Sequence, residues 1–207
     1  MIAIVDYGMG NVRSLSNAFE YLGEDVVVTD DAKVMEDADR IVLPGVGAFG
    51  DAMQAMHQRG VIAPLNRQVQ VLRKPLLGIC LGMQLVAKES VEHGHHLGLG
   101  WVDARIDRLT PAAPLKVPHV GWNSLDFPAQ DWLFEGIRQK EANFYFVHSF
   151  HMVCANPQDR LATTDYGGDV TAVVRHDNIL VMQFHPEKSQ DNGLRLLQNW
   201  VNWSAQC

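Results

Sequence analysis

Gly78-Ile79-Cys80-Leu81-Gly82 places a thiol where an apolar run, residues 75–79, gives way to a stretch of helical spacing, residues 81–89. A nucleophile at such a junction stands clear of a sheet edge on a sharp turn. The residues two before and two after it must be small so that strand and helix can approach each other, and Gly78 and Gly82 meet that need. The start of a helix also offers free N–H groups and partial positive charge, which favour a thiolate and a neighbouring oxyanion. Taken alone, the segment also reads as a buried cysteine between turn glycines, so a base elsewhere has to decide. Phe184-His185-Pro186-Glu187 supplies one. In an extended chain residues i and i+2 project to one side, and the proline restrains His185 to extended geometry. Glu187 can then fix the imidazole's orientation and tautomer while its other nitrogen faces a thiol, the logic of a catalytic triad. Pro44-Gly45-Val46-Gly47 follows the apolar residues 41–43 and turns at the same carboxyl edge of a sheet. A backbone N–H of Val46-Gly47, with that of Leu81, can form an oxyanion hole, although the same residues also suit an ordinary strand-to-helix turn.

The elements that must hold these groups can be read from periodicity. Residues 2–6 form a short apolar run closed by Gly8 and Gly10, and Val12, Leu15, Phe19 and Leu22 then recur at helical spacing until Gly23. Residues 25–29, 40–43 and 75–79 are further strand-like runs separated by helix-like segments, an order that implies a mostly parallel sheet covered on both faces. In the second half, residues 98–109, 143–150, 160–164, 170–175 and 179–184 read as strands joined by turns such as Gly167-Gly168 and Asp177-Asn178, and their pairings should be antiparallel. Leu194, Leu197 and Val201 mark a final helix capped near Ser189 or Asp191. Residues 110–118, with three prolines, read as an exposed loop. The expected fold is α/β, an open mixed, mostly parallel sheet flanked by helices, with antiparallel hairpins in the C-terminal half.

At 207 residues, 47% hydrophobic and 20% charged, the chain is expected to form a single domain over 1–207. A formal net charge of −7 without a stripe of Lys and Arg argues against nucleic acid as a partner. The longest strongly apolar stretch, residues 75–87, falls short of the roughly 20 residues a spanning helix needs, so no membrane is expected. The first six residues lack a basic leader and Asp6 interrupts any signal core, which points to the cytoplasm. Three cysteines without a C-x-x-C pair fit a reducing compartment, with Cys154 and Cys207 read as small buried hydrophobes. Two nucleotide motifs fail: Arg13 stands where a dinucleotide fingerprint beginning at Gly8 needs its third glycine, and Asp51 stands where a phosphate loop over residues 45–50 needs lysine. His93, His95 and His96 have no acidic or cysteine partner in the same turn and read as a polar loop cluster, so neither metal nor cofactor is expected.

Cys80 in G-I-C-L-G-M-Q and His185 with Glu187 in Q-F-H-P-E-K-S-Q resemble the class I, triad-type glutamine amidotransferases. Residues 6–11 (D-Y-G-M-G-N), 43–50 (L-P-G-V-G-A-F-G), 117–123 (V-P-H-V-G-W-N) and 145–149 (Y-F-V-H-S) further resemble the glutaminase subunit of imidazole glycerol phosphate synthase, and together they span nearly the whole chain. The resemblance implies that Cys80 attacks the side-chain amide of glutamine, His185 moves the protons and Glu187 orients His185. It also implies that Leu81 and the Val46-Gly47 segment hold the oxyanion, after a peptide flip. Gln84, His148, Ser149 and Phe150 match positions that hold the substrate. Asn11, Pro118, Trp122 and Lys188 match positions that dock a (βα)₈-barrel cyclase subunit, which takes the ammonia in histidine biosynthesis. Two positions depart from the family pattern, Val120 from methionine and Phe150 from tyrosine. A paralogue serving another synthase, a non-catalytic module of the same fold and a free-standing hydrolase are the competing expectations.

Overall fold

The structure, a computed structural model, describes residues 1–203; Cys207, expected to be a buried hydrophobe, lies outside the described residues. In chain order the elements are β1 (Ile2–Val5), α1 (Val12–Tyr21), β2 (Val26–Thr29), α2 (Ala32–Asp37), β3 (Arg40–Leu43), α3 (Phe49–Gln58) and α4 (Ile62–Asn66), which a π-helical turn (Arg67–Val71) extends. There follow β4 (Leu76–Ile79), α5 (Leu81–Leu85), β5 (Glu89–Ser90), β6 (His96–Leu97), β7 (Ala104–Arg108), β8 (His119–Ser124), β9 (Asn143–His148) and β10 (Phe150–Cys154). The chain continues through β11 (Arg160–Asp165), β12 (Asp169–His176) and β13 (Ile179–Met182) into α6 (Gln190–Asn202).

The main sheet has seven strands in the order β11-β12-β13-β4-β3-β1-β2. β2, β1, β3, β4 and β13 run parallel, and β12 and β11 extend the sheet antiparallel beyond β13. Both faces are buried, so the apolar residues of each strand divide between two cores. Ile2, Ile4, Val42, Leu77 and Ile79 pack with Leu15 and Phe19 of α1 and with Leu196, Leu197 and Trp200 of α6. Ala3, Val5, Ile41, Leu43 and Leu76 pack instead with Met35 of α2, with Phe49, Met53 and Met56 of α3 and with Leu65 of α4. A four-stranded sheet, β10-β7-β5-β6, and the β8-β9 ribbon complete the architecture.

Three expectations from the sequence need correction. The helix read over residues 81–89 ends at Leu85. Residues 98–101 take its carbonyls: Leu99 N–H donates to Leu85 O at 2.8 Å, Trp101 N–H to Val86 O at 2.9 Å and Gly100 N–H to Ala87 O at 3.0 Å. The same bonds shorten the strand read over 98–109 to β7. The run 143–150 is two strands rather than one, because the chain changes sheets at Ser149, β9 pairing with β8 and β10 with β7. β8 lies outside the strands read from the sequence; its alternating apolar residues, Val120 and Trp122, face outward from the ribbon.

Candidate active site

Cys80 sits between β4 and α5 with φ 54° and ψ −109°, a backbone conformation that costs energy for any residue with a side chain. Its neighbours hold it there. The Cys80 N–H donates to Met182 O at 2.8 Å, extending the β4–β13 pairing to the nucleophile. A Cβ on Gly82 would collide with the Leu43 carbonyl, and one on Gly78 would lie 2.7 Å from Val181 Cγ1, so both small residues are needed for the close approach of strand and helix. The turn has the strand-to-helix geometry expected of a nucleophile elbow, although its helix is only five residues long.

His185 arrives from the carboxyl end of β13. Its N–H donates to Tyr145 O at 2.9 Å, and Ser189 Oγ donates to His185 O at 2.6 Å while accepting from Tyr145 N at 3.0 Å. Ser189 is the residue before α6, but its hydroxyl fixes the histidine and β9 instead of capping the helix. His185 Nδ1 and Glu187 Oε1 lie 2.9 Å apart with both side chains almost fully buried. Glu187 does not lie on an extended chain as expected: residues Pro186–Lys188 form a 3₁₀ turn, because the fixed φ of proline suits a helical start. The i, i+2 pairing survives this change. Burial opposes a charge on His185, but Cys80 and Glu187 outweigh it and push the imidazole up to about 9. Glu187 thus fixes a proton on Nδ1, while Nε2 has no hydrogen-bond partner among the described residues.

A pocket of about 330 Å³ opens beside the thiol. It is lined by Cys80 and His185 together with the expected Val46, Gly47, Leu81, Gln84, Pro118, His148, Ser149 and Phe150, and by Glu92 and Val147, which sequence reasoning missed. Gln84 uses both amide hydrogens on the protein, one to Phe150 O at 3.0 Å and one to Gln183 Oε1 at 3.1 Å, so only its carbonyl oxygen is left to accept from a substrate. Gln183, fully buried and also missed, directs its own Nε2 at Cys80 Sγ from 3.9 Å. Its place two residues before His185 was the available signal. Phe150 contributes through its backbone carbonyl, which Gln84 and His148 share.

Val46, Gly47 and Leu81, read from the sequence as oxyanion donors, all line the pocket, but the Leu81 N–H is already engaged. Leu81 N–H donates to Gly45 O at 3.3 Å, and Gly47 has φ +105°. Tyr7, another residue missed from sequence, anchors the loop by donating from its hydroxyl to Pro44 O at 2.8 Å. Burial, and then the nearby Cys80, raise its phenol well above the usual range and keep it a donor.

Among the docking candidates, Pro118 lines the pocket and Asn11 is half-buried ahead of α1. Trp122 is 49% exposed and so is not a core residue. It meets Tyr145 edge-on at 6.1 Å, and Lys188 Nζ lies 6.0 Å from the Tyr145 ring. Val120 and Val147, cross-strand partners on the ribbon, extend this exposed apolar face towards the pocket mouth. The histidine cluster is dispersed: His95 pairs with Glu89 at 2.8 Å, while His96 packs against Phe49. No helix among the described residues is long and apolar enough to cross a membrane.

Comparison with known families matches residues 3–203 to the model described as glutamine amidotransferase class-I. The chain belongs to the class I glutamine amidotransferase family. Within that family it is similar to "imidazole glycerol phosphate synthase subunit HisH 2" of Nitrobacter winogradskyi, 49% identical with 98% of each chain covered. It is also 46% identical to the HisH subunit of Rhodospirillum rubrum, covering 98% of this chain and 99% of that one. The HisH subunit of Aquifex aeolicus is 46% identical over 95% of this chain and 94% of its own. Among solved structures, one described as a glutamine amidotransferase superposes with a TM-score of 0.72 at 21% identity and 98% coverage of each chain. The glutaminase domain of Trypanosoma brucei CTPS superposes with a TM-score of 0.60 at 19% identity, covering 100% of this chain and 97% of that one. At these identities the structural matches speak to the class I amidotransferase fold alone.

Proposed function

We infer that this chain is the glutaminase subunit of an imidazole glycerol phosphate synthase, which hydrolyses L-glutamine and passes ammonia to a (βα)₈-barrel cyclase subunit in histidine biosynthesis. The observation that carries this reading is the near-full-length identity of 46% and 49% to proteins named as HisH subunits of imidazole glycerol phosphate synthase. The buried Cys80, His185 and Glu187 arrangement supports the chemistry. Cys80 Sγ, as thiolate, attacks the side-chain carbonyl carbon of glutamine, and the His185 imidazolium gives its Nε2 proton to the departing nitrogen. That step leaves a γ-glutamyl thioester and ammonia. Water then attacks the thioester with His185 as base, glutamate leaves, and the thiolate is restored.

Each tetrahedral intermediate needs donors aimed at its oxygen. Turning the Gly45 carbonyl away would free the Leu81 N–H and bring an N–H of the Val46-Gly47 segment inward. Glu92 is the acidic side chain of the pocket, suited to the substrate's α-ammonium, and the Gln84 carbonyl oxygen, His148 and Ser149 complete the substrate contacts. Ammonia must stay unprotonated to act as a nucleophile, so it has to leave through protein rather than water. Trp122, Val120, Val147 and Lys188, with Asn11 and Pro118 beside them, form the face that fits the cyclase. The enzyme acts as one domain in the cytoplasm, without a resident metal or cofactor.

The test is glutamate release from glutamine by the protein alone and with the cyclase subunit and its ribonucleotide ligand, with Cys80→Ala as control. Strong stimulation by the liganded partner, absent in the control, is the expected result. Equal turnover with and without the partner would identify a free-standing hydrolase instead, and turnover retained by Cys80→Ala would remove Cys80 from the mechanism.

A further inference from the structure

His119 lies in neither the triad nor the pocket lining, yet it is 3% exposed and its ring is held on three sides. It stacks on Phe146 at 4.7 Å and on Tyr166 at 3.9 Å, and its Nδ1 is 3.0 Å from Nε2 of His148, its cross-strand partner. The direction of that hydrogen bond can be worked out from both ends, because each end meets a backbone group of fixed polarity.

From the pocket side, His148 Nδ1 lies 2.9 Å from Phe150 O, and a carbonyl can only accept. His148 therefore carries its proton on Nδ1, and its Nε2 must accept from His119 Nδ1–H. From the far side, Ser124 N–H donates to Asn123 Oδ1 at 2.9 Å, which fixes the amide orientation and makes Nδ2 the donor. Asn123 Nδ2 donates to Asp165 O at 2.9 Å and to His119 Nε2 at 3.3 Å. His119 thus accepts at Nε2 and again carries its proton on Nδ1. The two ends agree. Burial pushes His119 down to about 4 and His148 to about 3, in keeping with two neutral rings.

We propose that His119 is a positioning residue for the glutamine pocket: it donates from Nδ1 to His148 and so locks that ring, in its Nδ1–H tautomer, against the Phe150 carbonyl. The carbonyl that receives His148 also receives Gln84, whose amide reaches Gln183 and, through it, Cys80 Sγ. The orientation of one pocket wall and of the amides behind the nucleophile thus depends on a donor on β8. This proposal rests on reading the pocket as the glutaminase site.

Two measurements test it. Long-range ¹H–¹⁵N NMR on the unaltered protein is expected to show both rings neutral and protonated at Nδ1; an Nε2–H tautomer or a charged ring at His148 overturns the proposal. Turnover in the complex with the cyclase subunit is the second. His119→Phe keeps the stacking but not the donor and should raise KM for glutamine about tenfold with kcat within about twofold, whereas His119→Asn, which keeps a donor near Nδ1, should restore KM to within about twofold. An unchanged KM in His119→Phe, or equal losses in both variants, overturns the positioning role. A chain without Cys80-dependent turnover would remove the glutaminase reading, while the NMR result would still decide the tautomer.

Discussion

At the level of single residues, the site is a thiol, an imidazole and a carboxylate, and the imidazole responds to the other two. His185 is raised to about 9 because Cys80 and Glu187 favour the imidazolium more than burial opposes it. A folded-state value above the ordinary value of about 6.5 stabilises the folded chain fully below that ordinary value. The contribution is lost as pH rises through about 9. The same titration removes the proton that the leaving nitrogen requires. Glu187→Gln keeps an acceptor for Nδ1–H but removes the charge. It should therefore shift the alkaline limb of the pH–rate profile to lower pH and reduce kcat roughly a hundredfold, within the usual range for general acid–base groups. Profiles of the two proteins in complex with the cyclase subunit check this, and an unmoved limb would show that the Glu187 charge does not set the protonation of His185.

Among elements, the carboxyl ends of three adjacent parallel strands meet: β3 leads into the Val46-Gly47 loop, β4 into Cys80 and β13 towards His185. Gly82 holds two of these together, since its α-carbon faces the Leu43 carbonyl at the end of β3. Gly82→Ala is expected to destabilise the fold by about 2 kcal/mol or more through overpacking. It should also displace the elbow, so that thermal unfolding and glutaminase rate fall together; an unchanged melting temperature would contradict the close approach. The parallel strands of the main sheet were legible in the sequence because they are short, mostly apolar runs between glycine and polar turns, and the Cys80, His185 and Glu187 cluster was legible because its residues sit in short segments with strict local geometry. What escaped notice depends on tertiary hydrogen bonds or on outward-facing apolar groups. α5 stops early because residues 98–101 take its carbonyls, β8 carries its large side chains on the outside, and Tyr7 and Glu92 reach the site from separate parts of the chain.

For the whole molecule, the exposed Trp122, Val120 and Val147 form an apolar face next to the pocket mouth, and an exposed aromatic with apolar neighbours is a common anchor of protein interfaces. Trp122→Ala should weaken binding to the cyclase subunit by about 2 kcal/mol, close to thirtyfold in Kd, while shifting the melting temperature of the isolated chain by no more than about 2 °C. Calorimetric titration and thermal melts on one preparation separate the two effects, and unaltered affinity would place the docking face elsewhere. The order of the main sheet bears on the chain during its own synthesis. β13 is the last strand to be made, yet it lies between β4 and β12 in the middle of the sheet. Until it and the residues after it emerge, β4 has an open edge and Cys80 lacks His185 beside it. On the proposed reading, a partly translated chain carries the thiol but cannot consume glutamine until the segment from β13 through Glu187 completes both the sheet and the site.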